Sequence, residues 1–300
     1  MAGIDLIGLG AHGGFMFDLN AMNSPNARIV AVRDTDPAKE SVAIEHGIPF
    51  FTTNIAELVQ RKDVDVVGVF IGLQASNWNQ DRETERRAEV FSERLKSDLR
   101  EEAWGYETQV AYYSDVADYA RRAADALSGG PPLSDEALLV AAYRATQYSG
   151  NIRRRATYDE LTSTGEIGLI REPALRDLAM RVYTAPMFDN VVEEGMTSEY
   201  RHWFRLHMPH DVQQTLADDC GDKFIAVGDY KEIDSQIDYP CAPRLSPEAI
   251  SGAVAILRND KQALPLLRLR LADVKTNVAN MTTYFGDMRV GLRALAGKQP

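Results

Sequence analysis

The residues whose spacing most plainly suggests chemistry lie near the start of the chain, in Gly8-Leu9-Gly10-Ala11-His12-Gly13-Gly14. This is a G-x-G-x-x-G pattern, and each glycine has a use beside a phosphate. Gly8 permits a tight turn, Gly10 lets the backbone approach a pyrophosphate, and Gly13 lets a helix pack closely on a strand. The helix that follows offers free N–H groups and a partial positive charge to the phosphates. Ala11 and His12 fill the loop, and His12 falls near the phosphates on this reading. Asp34 follows at an offset of about 20 residues, where a carboxylate accepts hydrogen bonds from the adenosine ribose. Asp34 favours NAD over NADP because it would repel a 2′-phosphate, while Arg33 beside it keeps NADP open. The candidate dinucleotide site is therefore Gly8, Gly10, Ala11, His12, Gly13, Arg33 and Asp34, holding the ADP part of NAD(P).

Such a site needs alternating strands and helices to position it. Ile4–Gly8 reads as a first strand, Phe15–Met22 as a helix and Arg28–Val32 as a second strand. Asp36-Pro37 opens a helix through Glu45, with proline suited to a first turn and Gly47 to its end. Ile48–Thr52 reads as a third strand, Asn54 as the cap of a helix from Ile55 to Arg61, and the apolar run Val64–Ile71 as a fourth strand buried on both faces. The expected fold class is thus an α/β Rossmann-like half with a parallel sheet of about four strands, residues 1–78, followed by a mainly α-helical domain, residues 79–300.

The stretch AVRDTDPAKESVAIEHGIPFFTTNIAELVQRKDVDVV resembles the N-terminal domain of the glucose-fructose oxidoreductase / inositol dehydrogenase family, over roughly residues 3–67. That resemblance implies an NAD(P)-dependent oxidoreductase in which Gly8, Gly10 and Gly13 hold the pyrophosphate and Asp34 the ribose. In the family the fourth strand leads to a T-P-N-x-x-H turn and then to an E-K-P motif whose lysine serves catalysis. Here the strand leads to Gln74-Ala75-Ser76-Asn77-Trp78-Asn79, and no E-K-P occurs. Weak cofactor binding with little or no turnover is the expectation on this reading.

From Gln80 the character changes. Phe91, Leu95, Leu99, Ala103, Tyr106, Val110, Tyr113, Ala117, Ala120, Ala124 and Leu127 recur at steps of three and four. They make one apolar stripe on a long helix or on two stacked ones, narrow enough to leave a homo-oligomeric coiled-coil pairing open. Ser128-Gly129-Gly130-Pro131-Pro132 breaks the pattern, and Ser134 then caps a helix running to Tyr148. A further helical region follows Gly150. Met196–Leu206 and Pro247–Leu257 read as helical, and Leu264–Asn280 as helix or strand.

GVFIGLQASNWNQDR, followed by a long charged helix and by Tyr158-x-Glu160-Leu161-x-Ser163-x-Gly165-x-Ile167-x-Leu169-Ile170, resembles an uncharacterised family of bacterial single-span membrane proteins over about residues 67–190. There the apolar run is the end of the span and the helical part lies beyond the membrane. The resemblance implies a non-enzymatic helical interaction module of extracytoplasmic origin, as the alternative to the oxidoreductase. The two resemblances meet near Asp65–Gly68, as in a composite chain. One continuous helix from Val66 to Leu99 would contradict the strand reading at this junction.

Bulk properties narrow the classes. The 300 residues are 45% hydrophobic and 26% charged, enough to bury a core. A net charge of −11 argues against nucleic acid and against an anionic membrane surface. The start carries no secretory signal and no apolar run approaches the ~20 residues of a complete membrane span, which suits the cytoplasm; the second resemblance leaves a membrane-associated or periplasmic origin open for the helical part. Cys220 and Cys241 read either as two separate thiols or as one disulfide, the latter requiring an oxidising compartment. The extracytoplasmic placement implied by the second resemblance would suit the disulfide. His202, His207 and His210 with Asp211 form the one histidine cluster; scattered histidines are the plainer reading than a zinc site, because Pro209 interrupts the helix between them. Asp218-Asp219 with Asp222 reads as a solvated acidic turn lacking the glycine and glutamate of a calcium loop.

Overall fold

The computed structural model describes residues 2–7, 27–64, 69–150 and 152–297. These fall into two compact units, residues 1–86 and 87–300.

In the first unit β1 (Ala2–Ile7) runs parallel to β2 (Ala27–Arg33), and β2 is parallel to β3 (Phe51–Thr52), in the order β1-β2-β3. Asp36 caps a single 3₁₀ turn, Pro37–Lys39, by accepting the Ala38 N–H at 3.0 Å, and α1 (Glu40–Glu45) continues from it. Gly47 follows with φ of +70°, a left-handed turn that suits glycine. Asn54 accepts the Ala56 N–H at 3.0 Å to start α2 (Ile55–Val59). Ile29, Val32, Ala43 and Ile48 form a small core.

The expected parallel sheet of about four strands is not what the chain forms. Among the described residues there are three strands, of which β3 is two residues long, and the chain is mainly helical. Residues 65–68 of the expected fourth strand lie outside the described residues, and 69–71 are the first turn of α3 (Val69–Leu127), a helix of 59 residues. The reason is physical. A short apolar run fits a helix as well as a strand, and no proline separates Val69 from the charged helical sequence beyond Gln80. Extending an existing helix upstream then costs far less than nucleating a new element. The Rossmann description is accordingly corrected, and with it the description of the chain as an NAD(P)-binding Rossmann protein. None of the described helices is long and apolar enough to cross a membrane.

In the second unit α3 is the spine. Its predicted stripe is buried at Phe91, Leu95, Leu99, Ala103, Tyr106, Val110, Tyr113, Ala120 and Ala124. From Glu102 onward other faces are buried too, at Trp104, Thr108, Gln109, Tyr112, Val116, Tyr119 and Ala123. The stripe is thus one side of a helix that the rest of the unit surrounds. Ser134 Oγ accepts the Ala137 N–H at 3.2 Å and starts α4 (Asp135–Arg144). There follow α5 (Ala156–Ser163), α6 (Pro173–Thr184), α7 (Met187–Thr197), α8 (Glu199–His207) and α9 (His210–Cys220). Beyond a largely irregular segment with one 3₁₀ turn, Ile233–Ser235, come α10 (Pro247–Asn259), α11 (Ala263–Ala279), a π turn over Asn280–Tyr284, and α12 (Gly286–Leu295). Two apolar clusters share α3 as their common wall, one gathered around Leu95–Val116 and the other around Tyr119–Ala124. Along the first of these, Glu107 takes paired hydrogen bonds of 2.6–2.9 Å from both Arg289 and Arg293, fixing α12 to the spine.

Candidate functional site

Of the residues that the glycine pattern singles out, Gly8, Gly10, Ala11, His12 and Gly13 lie outside the described residues. Arg33 and Asp34 stand together at the carboxyl end of β2. Arg33 Nε donates to the Thr53 carbonyl at 3.2 Å, and the buried Asp34 accepts the Asp36 N–H at 2.9 Å. Asp34 thus serves a local turn, and Arg33 reaches across to the chain just after β3. The histidine cluster is dispersed by the break at Pro209 between α8 and α9. His207 stacks on Trp203 with centroids 5.1 Å apart, and its Nδ1 lies 2.8 Å from the Trp203 carbonyl. No group of three or more potential metal ligands is assembled among the described residues.

The most unusual local architecture lies elsewhere, at the segment between α9 and α10. Cys220, the last residue of α9, is joined to Cys241 by a disulfide, with Cα atoms 5.4 Å apart and a sequence separation of 21. The bridge closes Gly221–Pro240 into a loop with almost no regular structure. Its few main-chain hydrogen bonds include Lys223 N–H to the Gln236 carbonyl, 2.8 Å across the loop.

Side chains from α3 hold this loop in place. Trp104 Nε1 donates to the Asp229 carbonyl at 3.2 Å, Tyr112 Oη to the Asp222 carboxylate at 2.9 and 3.0 Å, and Tyr119 Oη to Asp238 at 2.7 Å. These three donors are eight and seven residues apart, about two helical turns each, so they lie along one face of the spine. Ile237 plugs the loop from below and is fully buried. The acidic stretch expected to be a solvated turn is instead engaged: Asp222 meets Tyr112, and Asp219 accepts both the main-chain N–H (2.9 Å) and the guanidinium (2.6 Å) of Arg244.

Arg144, at the end of α4, is the second anchor. It is 1% exposed, and its guanidinium lies between the rings of Tyr119 and Tyr239 at 4.9 and 4.5 Å. Nη1 donates to Tyr119 Oη at 2.6 Å and to the Tyr239 carbonyl at 3.0 Å, and Nε to the Cys220 carbonyl at 3.4 Å. A buried cation is tolerated only with such a shell of acceptors and ring faces. Asp115 on α3 faces the same region. Burial, with Asp238 and Asp234 of the loop and Asp118 of its own helix, pushes its carboxyl up to about 7, and Arg144 opposes the shift.

Beside the anchored loop lies an open cavity of about 220 Å³ between α3, the start of the segment after Ser149 and the loop. Trp104 and Gln109 contribute from α3, Phe224, Val227 and Gln236 from the loop, and Ile152 from the third side. Phe224 is 93% and Ile152 76% exposed. Large apolar side chains this open around a concavity are what binding surfaces carry. Sequence inspection passes over all of these residues. The available signals are Trp104, Tyr112 and Tyr119 at two-turn intervals facing a cysteine-bounded, helix-poor stretch.

No protein-family model, no curated protein and no solved structure matches this chain.

Proposed function

We propose that residues 87–300 are a non-enzymatic helical interaction module of an oxidising compartment, with the disulfide-closed loop Gly221–Pro240 as its binding element. The Cys220–Cys241 bridge carries this reading. Disulfides persist in oxidising compartments and are rare where thiols are kept reduced. The bridge spans a loop whose own main chain makes few hydrogen bonds, so cross-linking reduces the entropy of the unfolded chain where local structure contributes little. Exposed Phe224 on that loop supplies a contact surface, and α3 and Arg144 supply a rigid seat. A preorganised loop binds with less ordering cost than a free one.

Thiol titration of the purified, denatured chain, without prior reduction, tests the reading. No reactive thiol is expected before reduction and two after it. Two thiols without reduction, in protein isolated from its native source, would remove the oxidising compartment and the closed loop together.

A further inference from the structure

Asp115 stands on α3 between the two tyrosines that seat the closed loop, three residues after Tyr112 and four before Tyr119, and so on the same face of the spine. Tyr112 holds Asp222 of the loop and Tyr119 holds Asp238. The loop is thus laid, carboxylates first, over the helix face that carries Asp115. The charged groups facing Asp115 are Asp238 and Asp234 from the loop, Asp118 from its own helix and Arg144 from α4. Asp118 is paired with Arg121. That leaves Asp115, Asp234 and Asp238 to one guanidinium, and none of the three is bonded to it. Arg144 Nη1 and Nε donate to Tyr119 Oη and to the carbonyls of Tyr239 and Cys220, and the buried Nη2 has no partner among the described residues.

Carboxylates crowded at a partly buried site favour holding a proton. Asp115 is the group placed to hold it, since burial and then the neighbouring acids raise its carboxyl to about 7 against Arg144. Tyr119 does not compete: burial and its bond to Asp238 push its phenol up to about 12. Once Asp115 ionises, either the helix or the loop must move. From Glu102 onward α3 is buried on several faces. The loop has few main-chain hydrogen bonds of its own and is held at its ends by the disulfide. The loop is therefore the part that yields.

Resting on the binding role proposed above, and as its regulation, we propose that Asp115 is a proton-operated latch for the loop Gly221–Pro240. Protonated, it lets the acidic loop seat on α3. Ionised, it repels Asp234 and Asp238 and lifts the loop from the spine, while the disulfide keeps both ends tethered. The docked state binds the proton more tightly than the open one. Docking is therefore strongest in acid and weakens as pH rises towards the docked-state value.

The test uses the full chain, its disulfide verified by mass. Native-state exchange of the Lys223 N–H, which donates across the loop, is followed from about pH 5 to about pH 8 and corrected for intrinsic exchange. The opening equilibrium should rise about tenfold or more up to about pH 7 and then level off. It should not respond to dilute urea, because a local opening exposes little surface. Asp115→Asn has no charge to gain, so its profile should be flat and its loop should stay docked at the alkaline end. Asp234→Asn removes one repelling charge and keeps Asp115, so the rise should persist and level off at lower pH. The latch is overturned by a flat profile in the parent, by the parent's rise surviving in Asp115→Asn, by an Asp234→Asn profile that superimposes on the parent's, or by a rise that follows urea. Any of these, with the disulfide intact, leaves the closed-loop module standing, whereas two free thiols in protein from its native source would remove the module and the latch together.

Discussion

Gln109, Glu107 and Asp115 occupy neighbouring turns of α3 and show how differently three polar side chains can be treated by one helix. Gln109 is buried and its Oε1 has no partner among the described residues, so Gln109→Leu should stabilise the protein by about 1 kcal/mol, read as a higher midpoint in urea at unchanged slope. Glu107 is the opposite case. Burial disfavours its charge, but hydrogen bonds from Arg289 and Arg293 outweigh burial and hold its pKa below the usual carboxylate range. A lowered pKa contributes stability that is complete above the unfolded value and is lost as pH falls through the folded one. Glu107→Gln leaves two half-buried guanidinium groups unpaired and should cost about 2–3 kcal/mol near neutral pH, with the difference from the parent shrinking in acid. Asp115 has its carboxyl raised to about 7, first by burial and then by Asp238, Asp234 and Asp118, with Arg144 opposing. Its folded state holds a proton that the unfolded state gives up, so stability falls as pH rises from about 4 to about 7. Asp115→Asn should flatten that slope and gain ~1–2 kcal/mol at pH 8, after discounting for solvent at its open edge. An unchanged pH profile in the asparagine variant would show that the carboxylates of the loop do not press on α3.

At the scale of elements, the disulfide and the spine act together on a loop that neither helix propensity nor sheet pairing supports. Cys220→Ser with Cys241→Ser should destabilise the protein by ~3 kcal/mol, the value expected for closing a loop of this length, measured by denaturant unfolding without reductant. Much of this architecture was legible before the fold was known. The stripe from Phe91 to Ala124 follows the helical period, and Ser134 and Asn54 act as the caps their side chains suggest. That the expected fourth strand, Val64–Ile71, would end as helix was not legible, because a short apolar run suits a strand and a helix equally, and residues 69–71 follow the helical sequence downstream. The loop was legible only as an alternative at two cysteines. What a single sequence does not carry is that Tyr112 and Tyr119, which lie outside the apolar stripe, turn their hydroxyls to Asp222 and Asp238 more than a hundred residues away. Nor does it show that Arg144, one charge among many, is enclosed by tyrosine rings and carbonyls.

At the scale of the whole molecule, a net charge of −11 and a mainly helical chain describe a protein whose overall charge repels polyanions and which has a large share of its core on one helix. The small parallel sheet of β1, β2 and β3 keeps Asp34 at the end of β2, yet the described residues do not build the four-stranded sheet expected of a dinucleotide fold. The features that can be traced atom by atom lie instead in residues 87–300, where one covalent bond, two tyrosines and one arginine seat an irregular loop. Backbone hydrogen exchange across Gly221–Pro240, before and after reduction of the purified protein, tests that arrangement most directly. Slow exchange in the oxidised state at Lys223 N–H, the loop's own cross-link, and a marked acceleration through the whole loop on reduction are the predicted results. Exchange that is equally fast in both states would contradict the account, because the loop would then be neither closed by the disulfide nor held by the spine.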